Sequence, residues 1–190
     1  MISNIHERHL PVPAATAGAL IDSLAGPDDR LWPHERWPAM RFDRPLSVGA
    51  HGGHGPIRYT VVQHRPGRHV RFRFDAPAGF DGHHEYEVLP NGDDRCTVRY
   101  SLMMTTRGPA RLAWPLIFGP LHDALMEDSL DKVVQGLGLA QPARSRWSAQ
   151  VRTLRAAIRA LSLFSAHDRV AVSRWSRASR ATPLVRSASC

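Results

Sequence analysis

Eleven histidines stand in a chain of 190 residues, ten of them before residue 139. Imidazole exchanges a proton near neutral pH and is a common nitrogen ligand for metals. His51 and His54 flank Gly52-Gly53, His83 and His84 are neighbours, and His122 precedes Asp123. As a metal set these spacings are poor. Neighbours on a strand point to opposite faces, so His83 and His84 do not readily share one ion. A His-Glu-x-x-His motif and a Cys/His framework are both missing, and the reading predicts no metal and no cofactor. Gly49–Pro56 lacks the Gly-Lys-Ser/Thr ending of a phosphate loop, and its glycines are expected to form a turn or a lip between strands. Gly-x-Ser-x-Gly is also absent.

Acid–base chemistry is the better match to the residue types. Tyr59, His84, Tyr86 and Tyr100 fall at alternate positions that share one face of their strands. A His–Tyr group in an apolar pocket can remove an acidic α-proton and stabilise the resulting enolate. His122 would join from a helix and His54 from a hairpin. Val70, Phe72, Phe74, Val98, Leu102, Met104 and Met126 would form the wall. The same residue types also fill an ordinary core and bond locally, and their spacing does not separate the two roles.

The elements that must position these side chains follow from periodicity. Residues 2–10 are expected to be extended, and Pro13 opens a helix over 14–24. A helical turn is expected at Asp28–Trp32, with Asp28 or Asp29 as cap. Strands are then expected at Met40–Phe42, Ile57–Val62, His69–Asp75, His83–Val88 and Cys96–Met104, with turns at 49–56 and 77–82. Asn91-Gly92 signals a hairpin. A long helix is expected over 110–137, bent at Pro115, Gly119 and Pro120. Met126, Leu130, Val133, Val134 and Leu137 make its apolar face. Asp123, Glu127, Asp128, Asp131 and Lys132 make its polar one. The result is an α+β fold: a curved six-stranded antiparallel sheet around a long helix, which is a helix-grip arrangement with space for a ligand between the layers.

Leu31-Trp-Pro, Trp37-Pro-Ala-Met40, Gly49–Tyr59, Gly82-His-His-Glu-Tyr86 and His122-Asp-Ala-Leu-Met-Glu-Asp128 add to this element order. With them, residues 1–138 resemble the helix-grip superfamily of START lipid-transfer domains and polyketide cyclase/dehydratase-like proteins. The resemblance implies a cavity for lipids, polyketides or aromatic compounds. It does not imply catalysis, because function is set by the site and not by the fold. Binding of a hydrophobic small molecule is the first expectation, and a cofactor-independent cyclase using the His and Tyr groups is the alternative.

Charge separates the rest of the chain. Of the 25 basic residues, Lys132 is the only lysine, and residues 139–190 carry ten Arg against one acid, Asp168. Trp147, Val151, Leu154, Ile158 and Leu161 recur at helical steps beside Arg152, Arg155 and Arg159. Residues 145–164 therefore read as a basic amphipathic helix suited to an anionic membrane or a partner, with nucleic acid as a weaker prospect. The Ser/Arg-rich segment 173–180 is expected to be disordered. Two cysteines, Cys96 in a strand and Cys190 at the end, provide no disulfide framework. With no apolar leader or spanning segment, a cytoplasmic protein is expected.

Overall fold

The structure, a computed structural model, describes residues 1–140 and 146–160. The chain divides into two compact units, Met1–Trp147 and Ser148–Cys190. In the first unit, β1 (Ile2–Leu10) is followed by α1 (Ala14–Asp22). Six further strands come next: β2 (Arg41–Phe42), β3 (His51–His54), β4 (Ile57–Arg65), β5 (His69–Ala76), β6 (Phe80–Pro90) and β7 (Cys96–Thr106). They form one antiparallel sheet in the order β1-β7-β6-β5-β4-β3-β2. Sequential hairpins account for every neighbour except β1, which pairs with β7 from Ile2↔Met104 to Leu10↔Cys96. Register shifts at Arg58/Tyr59 and Val61/Gln63 interrupt the β4–β5 ladder, the kind of irregularity that bends a sheet.

The sheet has seven strands where six were expected, because residues 51–54 are a strand and not a turn. Gly52 is there for close approach. A Cβ on it would collide with the carbonyl oxygen of Arg41 and come within 2.8 Å of the Phe42 Cα. The turn itself is confined to Gly55-Pro56. Likewise β6 starts at Phe80, inside the expected turn 77–82. The Asn91-Gly92 hairpin forms, but around five loop residues, since Pro90 pairs with Cys96. The helical turn expected at Asp28–Trp32 does not form. Asp29 instead accepts hydrogen bonds from the N–H groups of Ala25 (2.8 Å), Leu31 (2.9 Å) and Trp32 (2.8 Å), giving those donors a side-chain partner outside any helix.

The long helix is continuous but wound in three ways: α2 (Ala110–Ala113), a π-helical turn (Trp114–Phe118) and α3 (Gly119–Gly136). The π turn falls where Pro115 removes a backbone donor, so the proline widens the helix instead of ending it. Leu125, Met126, Leu130, Val133 and Val134 of α3 are buried in the core with the inward side chains of the sheet. The expected polar face needs correction, because Asp128 and Asp131 are also buried. Loop 32–37 and β1 pack on that side of α3 and supply their partners. Arg36 and the Trp37 indole N–H (2.7 Å) donate to Asp128, and Arg8 donates to Asp131 at 3.0 Å.

In the second unit residues 149–160 are helical, and Ser148 caps them by accepting the Val151 N–H at 3.2 Å. The helix expected over 145–164 thus begins later, since residues 146–148 are not helical; residue 145, residues 161–164 and the Ser/Arg segment lie outside the described residues. Among the described residues no helix is long and apolar enough to cross a membrane.

Candidate ligand-binding site

Strand alternation and cross-strand register bring the expected residues onto one interior face. Phe72 pairs with His84, His84 with Leu102, Val70 with Tyr86, and Tyr86 with Tyr100. Tyr59, His84, Tyr86 and Tyr100 are all buried, as are Val70, Phe72, Val98, Leu102, Met104 and Met126. His54, Phe74 and His122 are half-buried. The rings form a continuous array. His84 stacks on both Phe72 and Phe74 with centroids 4.9 Å away, and Tyr59 meets it edge-on at 4.8 Å. Tyr100 lies 5.7 Å from His84 and 4.9 Å from Tyr86. His54 packs on Trp32 at 4.6 Å.

Hydrogen bonding divides the four central residues. Ser129 donates its hydroxyl proton to the Leu31 carbonyl at 2.9 Å, so Tyr86 is the donor in its 2.9 Å bond to Ser129 Oγ. That phenol is committed to tying β6 to α3. Tyr100 Oη lies 3.0 Å from His122 Nε2. Among the described residues, by contrast, Tyr59 Oη and both ring nitrogens of His84 have no hydrogen-bond partner. Such groups are uncommon in a folded interior and costly, on the order of 1–3 kcal/mol each.

The electrostatics fit neutral groups. Burial drives the His84 pKa well below its ordinary value, and the nearby His54, His122 and His83 push it the same way. Burial lowers His54 to about 3, with His122 and Arg58 adding to the effect. The phenols move oppositely: burial raises Tyr59 and Tyr100 well above the usual range. At neutral pH the site therefore offers a neutral imidazole, with one donor and one acceptor nitrogen, beside a phenol that donates and accepts. Cys96 is fully buried with its thiol pKa raised by burial, as expected of a packing residue.

A concavity of about 510 Å³ lies elsewhere, lined by Ser23, Pro27, Asp28, Asp29 and Arg30. The Asp29 carboxylate there is occupied by the three backbone donors described above, which marks a structural turn. Trp147, expected on a membrane-facing helix, belongs to the first unit. Its indole N–H donates to Asp128 at 3.0 Å, its ring lies edge-on to Trp37 at 5.6 Å, and the Arg36 guanidinium sits 4.0 Å above it. Arg152 and Arg159 are exposed on the helix of the second unit, and Arg155 is half-buried. Sequence reasoning also missed a grouping of His6 with His122 and Asp123. Its only local signal was the alternation that turns His6 to the same side of β1 as Asn4 and Arg8.

No family model matches the chain, and no curated protein matches it. Solved structures do. A protein from Thermobifida fusca, solved by solution NMR, is 18% identical with a TM-score of 0.54, over 75% of this chain and 99% of its own. Norcoclaurine synthase from Thalictrum flavum, in complex with dopamine and hydroxybenzaldehyde, is 17% identical with a TM-score of 0.53, over 74% and 90%. CalU16 from Micromonospora echinospora is 16% identical with a TM-score of 0.52, over 81% and 86%. At these identities the likeness is one of fold, and the fold is the helix grip.

Proposed function

We propose that the chain binds a hydrophobic small molecule, an aromatic or polyketide-like compound carrying a hydroxyl or carbonyl group, between the sheet and α3. The observation that carries this reading is the trio of buried polar atoms without partners among the described residues, His84 Nδ1, His84 Nε2 and Tyr59 Oη, inside an aromatic wall. Flat rings favour stacking with a flat ligand, and the three atoms select one with a polar substituent. The Thalictrum flavum neighbour, whose structure holds dopamine and hydroxybenzaldehyde, supplies a chemical class to try first.

Binding is favoured over turnover because a proton taken up by His84 would create a buried imidazolium. The titratable groups bearing on that ring are other histidines, none of which would stabilise the charge. The second reading is a cyclase/dehydratase-like enzyme that needs no cofactor. It draws on the Tyr100–His122 pair, a phenol bonded to an imidazole on the same ring array.

The test is a titration of the full chain with hydroxybenzaldehyde, followed by Trp fluorescence, alongside His84→Phe and Tyr59→Phe. Saturable binding that weakens on the order of tenfold in each variant is expected, the value of one lost hydrogen bond. Equal binding to all three proteins, or none to the wild type and none of an apolar fluorescent probe, overturns the reading. Chromatography and absorption spectra of a recovered enolisable aromatic polyketone separate the two functions, because ring closure by itself leaves the mass unchanged: an unaltered compound supports binding, and a new one supports the enzyme.

A further inference from the structure

The rim between β1 and α3 holds a second set of chemistry-bearing groups. His6 on β1, His122 and Asp123 on α3 place one ring nitrogen of each histidine and a carboxylate oxygen of Asp123 within 4.8 Å of one another. Asp123 Oδ1 is 3.5 Å from His6 Nε2 and 3.8 Å from His122 Nδ1, both beyond a good hydrogen bond. Those same two nitrogens are buried and lack hydrogen-bond partners among the described residues. A tetrahedral centre with bonds of about 2.0–2.1 Å needs its ligand atoms roughly 3.4 Å apart. Two of the three edges are therefore already within half an ångström of that geometry.

We infer that His6 Nε2, His122 Nδ1 and Asp123 Oδ1 form a binding site for a divalent transition-metal ion, with zinc the best match to two imidazoles and one carboxylate. The nitrogens that would not bind metal are each held by a neighbour. His6 Nδ1 lies 2.8 Å from Glu127 Oε1, and His122 Nε2 lies 3.0 Å from Tyr100 Oη. With Nδ1–H of His6 donating to Glu127 and Nε2–H of His122 donating to Tyr100, both lone pairs turn toward Asp123. Metal-ligating histidines are typically oriented in this way, by a carboxylate or another polar group on the far nitrogen. Glu127 is itself fixed by Arg8 Nη2 at 3.1 Å, and Asn4 Nδ2 donates to Asp123 at 2.8 Å.

The ligand set also excludes the hard cations. Mg²⁺ and Ca²⁺ prefer all-oxygen surroundings, whereas imidazole suits zinc, copper, nickel and iron. The side chain of Asp123 is 54% exposed, which opens the site to ions from solvent, while both rings are 13% exposed. Three protein ligands leave at least one coordination position for water or another donor. Through His122 the ion would adjoin Tyr100 and the interior aromatic face. The inference itself stands on the three ligands and does not depend on the proposed ligand of His84.

The full chain, stripped of metal with a chelator, is titrated with Co²⁺, whose visible absorption reports inner-sphere ligands, and then with Zn²⁺ in competition. One tight equivalent with a visible band, displaced by Zn²⁺, is expected. Asp123→Asn and His6→Asn should weaken it by more than a hundredfold, and Glu127→Gln by roughly ten- to a hundredfold through the lost orientation of His6. His34→Asn, an exposed control away from the site, should leave it unchanged. Absence of a tight equivalent overturns the inference. So does equal loss in the His34 control, which would mean scattered binding to surface histidines. Asp123 is largely exposed, so its variant keeps the test valid should His6→Asn fail to fold.

Discussion

Two ends of one interior face handle buried polarity in opposite ways. Near the C-terminal half of α3, Asp128 is buried yet receives Arg36 and the indoles of Trp37 and Trp147, while Tyr86 donates a hydrogen bond to Ser129, which donates its own to the Leu31 carbonyl. Both Asp128 oxygens and the Tyr86 and Ser129 hydroxyls have partners, and the network clamps loop 32–37 to the helix. Around His84 and Tyr59, the same burial comes with aromatic walls and, among the described residues, no side-chain hydrogen bonds. A satisfied network stabilises and rigidifies, whereas an unsatisfied one costs stability until something supplies partners. The first region thus holds the fold, and the second is where a ligand gains most by arriving.

Substitutions can break or sharpen this contrast. The largest effect is expected for Asp128→Ala, which removes the carboxylate to which one guanidinium and two indole N–H groups donate. Its loss should be on the order of 3 kcal/mol in urea denaturation, at the low end for a broken buried pair because Arg36 is 30% exposed and regains water. A loss below about 1 kcal/mol would remove Asp128 from the clamp.

Acidification should single out the other region. The folded pKa of His84 lies below the unfolded value of 6.5, so below pH 6.5 the unfolded chain takes up a proton that the folded chain refuses. Stability from this group is complete above pH 6.5 and falls by about 1.4 kcal/mol per pH unit as pH drops toward the folded pKa. His84→Phe should flatten the stability–pH curve between pH 6.5 and 5 by that slope. An unchanged slope would mean that the ring is solvated.

Smaller still, and most diagnostic, is one substitution made twice. Tyr86→Phe removes a made hydrogen bond and should lower stability by about 1 kcal/mol. Tyr59→Phe removes an unmet one and should leave stability unchanged or raise it by up to about 1 kcal/mol. Equal destabilisation by both would erase the distinction between the two ends.

Much of this was legible from local pattern. Period-two alternation in β4 to β7 is set by backbone geometry, so it turned Tyr59, His84, Tyr86 and Tyr100 to one face before any partner was known. Pro13 and the apolar spacing of 14–24 likewise marked α1, and Pro115 marked the place where the long helix is wound differently. Local pattern failed where a distant segment decides the outcome. Gly52-Gly53 read as a turn because glycine permits one. Only the approach of Arg41 and Phe42 shows that the same glycines make room for a neighbouring strand.

Asp128 and Asp131 read as solvent-facing because charged residues on a helix usually are. They are buried because Arg8, Arg36, Trp37 and Trp147, each nineteen or more residues away in sequence, arrive to pair with them. His6 and His122 are 116 positions apart, and no spacing rule spans that distance. Periodicity is a property of a few consecutive residues, so the sequence by itself determined which side of each element a residue takes. Which groups then share that side, and which of them go without a partner, depends on segments joined through the β1–β7 pairing and the packing of α3. Tertiary structure alone decided that.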